Sequence, residues 1–131
     1  MTQERSRICL IDDDIYVRDA LSLGLSDAGY EVVTAPGAAA GLDIISREPI
    51  DIIVTDLNMP GTGGAELITE ARGRWPHIPI IAITGAAQHQ GRNVAEAARD
   101  LGAEACMVKP FRATQLATLI DDILKRKRGA S

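Results

Sequence analysis

The run Ile52-Ile53-Val54 constrains this chain more than any other stretch. It is apolar, β-branched and unbroken by polar residues. That composition belongs to a strand buried on both faces, as in parallel sheets covered by helices on each side. The run leads into a carboxylate, Asp56, and Pro60-Gly61 mark a turn just beyond. A charged group therefore stands where a buried strand opens into a loop. In open α/β sheets the carboxyl ends of the strands are where ligands bind. Taken alone, Asp56 could equally be a polar strand end or a helix cap, since Asp is common at turns.

The rest of the chain repeats the pattern. Ile8-Cys9-Leu10-Ile11 is a first strand and ends in Asp12-Asp13-Asp14. Val17, Leu21 and Leu25 then recur at helical spacing, with Asp14 placed as N-cap and Gly29 as terminator. Glu31 to Thr34 is a second strand, and Ala38 to Ser46 a helix closed by Pro49. After the central strand, Gly63-Gly64 opens a helix through Leu67, Ile68 and Ala71, and Trp75 to Pro79 is a loop. Ile80 to Ile83 is a fourth strand ending in Thr84, and Gly85 to Gly91 reads as a polar, flexible loop. Val94 to Leu101 is a helix stopped by Gly102, and Ala105 to Val108 is a fifth strand ending in Lys109-Pro110. Leu116, Ile120, Ile123 and Leu124 give the apolar face of a last helix, and Gly129-Ala130-Ser131 is expected to fray. Five strands alternating with five helices, joined by right-handed crossovers, give a doubly wound parallel sheet.

Composition narrows the function classes. The 131 residues fit one domain with a core of its own. Aromatic residues are only 3%, which leaves no base-stacking platform, and a net charge of −4 gives no general attraction to nucleic acid. The basic run Lys125 to Arg128 is read as a solvated helix end that complements the helix dipole. Met1 to Arg7 has no apolar core of a signal peptide, and no apolar run approaches the roughly 18 residues of a membrane span, so a soluble cytoplasmic protein is expected. Cys9 and Cys106 are read as reduced core residues, and His77 and His89 as surface residues without partners at metal-ligand spacing.

Parallel strands point their carboxyl ends one way. The topology therefore delivers Asp12, Asp13, Asp56, Thr84 and Lys109 to one edge of the sheet. Like-charge carboxylates in a partly dry site cost about a few kcal/mol per pair, and they persist as charges only if a cation joins them. Lys109 is one such charge, and a divalent ion is the natural second. A hard oxygen set without His or Cys disfavours zinc and copper and favours Mg²⁺, which commonly shares its site with phosphate. Carboxylates, Mg²⁺, a Lys and a hydroxyl together suggest phosphoryl transfer, with an Asp as nucleophile.

These residues resemble the receiver domain of two-component response regulators over about residues 7–126. The resemblance rests on Asp12-Asp13, on Asp56 with Met59-Pro60-Gly61, on Thr84, and on Lys109-Pro110-Phe111, in that order at successive strand ends. It implies a flavodoxin-like sheet of order 2-1-3-4-5, and phosphorylation of Asp56 by a sensor histidine kinase or a histidine phosphotransfer protein. It implies Mg²⁺ held by Asp13, Asp56 and the Asn58 backbone carbonyl, with Asp12 acting largely through water. Lys109 would bind a phosphoryl oxygen, Thr84 would move to bind another, and the Lys109-Pro110 peptide would be cis. The chain would act as a single receiver domain, itself not an enzyme in the ordinary sense, signalling by binding an output protein. The faces of the last two helices could pair two copies on phosphorylation.

The sequence departs from the family pattern at two places. Cys106 stands where a Tyr or Phe is usual as a switch partner of the Thr, and the stretch from Thr84 to Lys109 is a few residues longer than usual. The extra length, expected in Gly85 to Gly91, is either a partner-specific surface or plain loop variation. A haloacid-dehalogenase-type phosphatase would usually carry a second Asp where Asn58 stands, and would carry a cap domain. A flavodoxin would need a hydroxyl- and Gly-rich phosphate loop where Asp12-Asp13-Asp14 stand. The remaining alternative is a degenerate receiver, a phosphorylation-independent interaction module, which Cys106 keeps open.

Overall fold

The computed structural model describes residues 5–59, 63–85, 88–89 and 92–129. The elements in chain order are β1 (Arg7–Ile11), α1 (Ile15–Asp27), β2 (Glu31–Ala35), α2 (Ala38–Arg47), β3 (Ile52–Asp56), α3 (Gly64–Arg74), β4 (Ile80–Thr84), β5 (Gln88–His89), β6 (Arg92–Asn93), α4 (Val94–Leu101), β7 (Ala105–Val108) and α5 (Ala113–Gly129). The main sheet has five strands in the order β2-β1-β3-β4-β7, all of its pairings parallel. Counting only those strands, this is the expected 2-1-3-4-5 arrangement.

Strand periodicity divides the core in two. Cys9, Ile11, Ile53, Ile80 and Ala82 point to one face, where they pack with Ile45 of α2, Leu67 and Ile68 of α3, and Ala98 of α4. Ile8, Leu10, Ile52, Val54, Ile81 and Ile83 point to the other, against Leu21 and Leu25 of α1 and Leu116 and Ile120 of α5. Both faces are covered, so β3 and β4 are buried along their whole length. This explains the uninterrupted apolar runs. Each fully buried Ile or Leu contributes about 1.5–3 kcal/mol.

Local signals act as their chemistry requires. The Asp14 carboxylate accepts from the backbone N–H of Tyr16 and of Val17, at 2.9 and 3.3 Å, and so caps α1. Gly29, at φ 101°, turns the chain after α1, in a region that L side chains avoid. Cys9 and Cys106 are free thiols, Cys9 buried and Cys106 half-buried. His77 is exposed. The His89 side chain, Pro60, Gly61 and residues 1–4 and 130–131 lie outside the described residues, whereas Gly129 closes α5.

One expectation needs correcting. The stretch read as loop from Gly85 to Gly91 contains part of an antiparallel ladder, with Gln88 opposite Asn93 and His89 opposite Arg92. Ala86, Ala87, Gln90 and Gly91 of that stretch lie outside the described residues. Asn93 ends the ladder and caps α4, its side chain accepting from the Ala95 N–H at 2.8 Å.

Candidate phosphoacceptor site

Register brings the site together. Ile11 pairs with Ala35 on one side and with Thr55 on the other, so the next residues, Asp12 and Asp56, emerge side by side. Asp56 lies opposite Ile83, which Thr84 follows, and Thr84 lies opposite Val108, which Lys109 follows. The backbone seals these ends: the Leu57 N–H donates to the Ile83 carbonyl at 2.8 Å and the Lys109 N–H to the Thr84 carbonyl at 2.7 Å. The Lys109-Pro110 peptide is cis.

Carboxylate oxygens of Asp12, Asp13 and Asp56 all lie within 4.8 Å of one another. Asp12 is fully buried, Asp56 is 5% exposed, and Asp13 reaches solvent. The Lys109 ammonium bridges the two buried acids, 3.2 Å from Asp12 Oδ2 and 3.1 Å from Asp56 Oδ2. The remaining oxygens are also engaged. Asp12 Oδ1 accepts from the Asp14 N–H at 2.9 Å, and Asp56 Oδ1 accepts from the Asn58 N–H at 2.9 Å.

The electrostatics are those of one cation shared among several anions. Burial pushes the Asp56 carboxyl above its ordinary value, and the Asp12 charge adds to this. The Asn58 N–H and Lys109 pull the other way without overcoming it. Burial also works against charging Lys109, but Asp56 and Asp12 together hold its ammonium above the usual lysine value. Both directions agree physically: the cation is over-supplied with partners, and the acids are under-supplied with cations. All the charged ligand atoms are carboxylate oxygens, with no His or Cys in the cluster. This donor set fits a hard divalent cation such as Mg²⁺.

Thr84 is buried beside the acids, and its hydroxyl accepts from the Asn58 side-chain amide at 2.9 Å. Cys106 lies opposite Ala82 in the sheet and packs, half-buried, against the α2–α3–α4 side of the core. Burial raises its thiol pKa.

Two contributions escaped sequence reasoning. The Asn58 side chain, as opposed to its backbone, carried no signal. Arg18 donates from Nη1 to the Asp12 carbonyl at 2.9 Å. A cation near the N-terminal end of α1 opposes the helix dipole, and that local misfit could have flagged it.

The family model of the response regulator receiver domain matches residues 8–121. The chain belongs to that family. Response regulators of this family work in two-component systems, and receivers are their signalling domains. The chain is 37% identical over 115 residues to the response regulator protein FleR of Pseudomonas aeruginosa, covering 88% of this chain and 24% of FleR. It is 32% identical to the transcriptional regulatory protein FixJ of Bradyrhizobium diazoefficiens, covering 97% of this chain and 60% of FixJ. This receiver thus spans only part of the length of those relatives. Among solved structures, a CheY-like receiver domain protein from Methanospirillum hungatei JF-1 superposes with a TM-score of 0.89 at 28% identity, covering 98% of this chain and 100% of that one. The chemotaxis protein CheY4 of Vibrio cholerae gives 0.83 at 28% identity, covering 91% and 98%. Among the described residues, no helix is long and apolar enough to cross a membrane.

Proposed function

We propose that this receiver accepts a phosphoryl group on Asp56 from the phosphohistidine of a sensor histidine kinase or histidine phosphotransfer protein. An Asp56 carboxylate oxygen attacks phosphorus as the phosphorus–nitrogen bond breaks, and the departing imidazole nitrogen keeps the electron pair. Asp13, Asp56 and the Asn58 carbonyl would hold Mg²⁺, with Asp12 acting largely through water. When bound, the ion supplies charge neutralisation for the transferring group. Lys109 stabilises negative charge on a phosphoryl oxygen, from a position that already bridges Asp12 and Asp56. Thr84 takes up a second phosphoryl oxygen and carries the change of state toward the surface.

The observation behind this reading is the shared ammonium. Lys109 holds two buried carboxylates at 3.2 and 3.1 Å, with a third acid alongside. Such a site gains by taking up a metal and a phosphoryl group together. Cys106 has no large swing to make, so Thr84 works without an aromatic partner at that position. Residues 7–126 act as one receiver unit in the cytoplasm. Its output is binding of another protein, or pairing with a second copy, and not contact with nucleic acid.

The test is phosphorylation of purified protein by a small phosphodonor with Mg²⁺, read by intact mass, with Asp56→Asn and metal-free samples as controls. One added phosphate, lost in both controls, is the expected result. Undiminished labelling of Asp56→Asn would eliminate Asp56 as the acceptor. No addition under any condition would favour a phosphorylation-independent interaction module.

A further inference from the structure

Asn58 touches both ends of the signalling step. Its backbone N–H donates to Asp56 Oδ1 at 2.9 Å, and its side-chain amide donates to Thr84 Oγ1 at 2.9 Å. The Thr84 hydroxyl is thus engaged by a neighbour that is itself tied to the acceptor carboxylate. We infer that the Asn58 side chain is a positioning residue, a latch that holds the Thr84 hydroxyl in the unphosphorylated protein and must release it before that hydroxyl can reach a phosphoryl group on Asp56. The inference rests on the phosphoacceptor reading above.

The chemistry at Asp56 can loosen the latch. A hydrogen bond from an N–H to an ionised carboxylate is roughly twice as strong as one to a neutral acceptor. Conversion of the carboxylate to an acyl phosphate leaves the Asn58 N–H facing a weaker acceptor, so the residue that carries the latch loses part of its anchor. Room to move is present. Asn58 and Thr84 both line a cavity of about 80 Å³ between α3 and α4, flanked by Leu57, Ala65, Val94 and Leu101. That cavity is the space into which a change of rotamer at either side chain would move. A neutral side-chain hydrogen bond shifts an equilibrium by about five-fold. A state held closed by such a bond lowers apparent affinity for whatever needs the open state.

The experiment measures binding of beryllofluoride, a phosphoryl analogue, with Mg²⁺ to wild type, Asn58→Ala, Thr84→Val and the double variant. Alanine keeps the backbone N–H and carbonyl of position 58. Asn58→Ala should bind the analogue about five-fold more tightly than wild type, and the gain should vanish in the Thr84→Val background. A merely structural hydrogen bond would leave affinity unchanged or lower it, and that result overturns the latch. Failure of wild type to bind the analogue would instead count against the phosphoacceptor reading. A second arm then judges the latch independently, by urea unfolding of the same four proteins without metal. Coupling of about five-fold in the unfolding equilibrium between positions 58 and 84 is expected from the Thr84→Val cycle, and it should vanish in a parallel cycle with Thr84→Ser, which keeps the hydroxyl. Zero coupling in the Thr84→Val cycle overturns the latch.

Discussion

Neutralising the Asp56 carboxylate should stabilise the metal-free protein. In Asp56→Asn the side chain keeps its shape and an oxygen to accept from the Asn58 N–H, but loses its charge. The Coulomb changes nearly cancel. Lys109 lies 3.1 Å from Asp56, an attraction of roughly 5 kcal/mol at an effective dielectric near 20. Asp12, with its oxygen within 4.8 Å, repels by about 3.5 kcal/mol or more on the same scale, and solvent-exposed Asp13 adds about 1. Desolvation then decides. Asp56 is 5% exposed, and its carboxyl is pushed above the ordinary value mainly by burial, so the sum goes against the charge. Lys109 still keeps Asp12 as a partner in the variant. The expected gain is about 1–2 kcal/mol at pH 7 in EDTA, measured by urea unfolding.

The pH dependence has a definite sign. A carboxyl with a raised folded pKa binds its proton more tightly folded than unfolded. The wild type therefore loses stability as pH rises from the ordinary value of 3.8 through the folded value, and no further above it. Asp56→Asn lacks this loss, so the gap between the two proteins opens across that window and is flat above it. Adding Mg²⁺ should close or reverse it, since an ion at ten times its dissociation constant adds about 1.4 kcal/mol to the protein that binds it. The variant, which offers one carboxylate fewer to the proposed ion, should gain less. An Asp56→Asn variant less stable than wild type in EDTA at pH 7 would refute the reasoning.

Two further outcomes test the scaffold. At Gly64 an added Cβ would lie 2.7 Å from Leu57 Cα and closer still to the Asp56 carbonyl oxygen. Both obstacles are backbone, so Gly64→Ala should cost about 3 kcal/mol or more and disturb the acceptor loop; a change below about 1 kcal/mol in urea unfolding would show that α3 can shift freely. The Cys9 thiol, fully buried and pushed up to about 12 by burial and the nearby Glu48 charge, should resist iodoacetamide at pH 8 in the native protein and react only on unfolding, as read by intact mass. Native labelling of Cys9 as fast as half-buried Cys106 would contradict that burial.

What the sequence disclosed depended on how far each feature was fixed by burial. The interior strands β3 and β4 were plain, because both faces are covered and, Thr55 aside, their buried positions are apolar up to the terminal site residues. The edge strand β7 is only partly buried, so Cys106 and Val108 are less constrained and their run is weaker. The ladder of β5 with β6 left no apolar alternation to read, since Gln88, His89, Arg92 and Asn93 are all polar. The acids and Lys109 were legible because strand direction alone carries them to one edge, before any side-chain detail is known. The Asn58–Thr84 bond was not, because it spans 26 residues of sequence and depends on a side-chain rotamer that no periodicity encodes. The same contrast separates the two tasks of the site. Gathering charge is the work of topology, and any sequence that folds this way with acids at these ends will do it. The contact of the Asn58 amide with Thr84 is the work of one side chain, and the proposed release of that hydroxyl would depend on which residue stands at position 58.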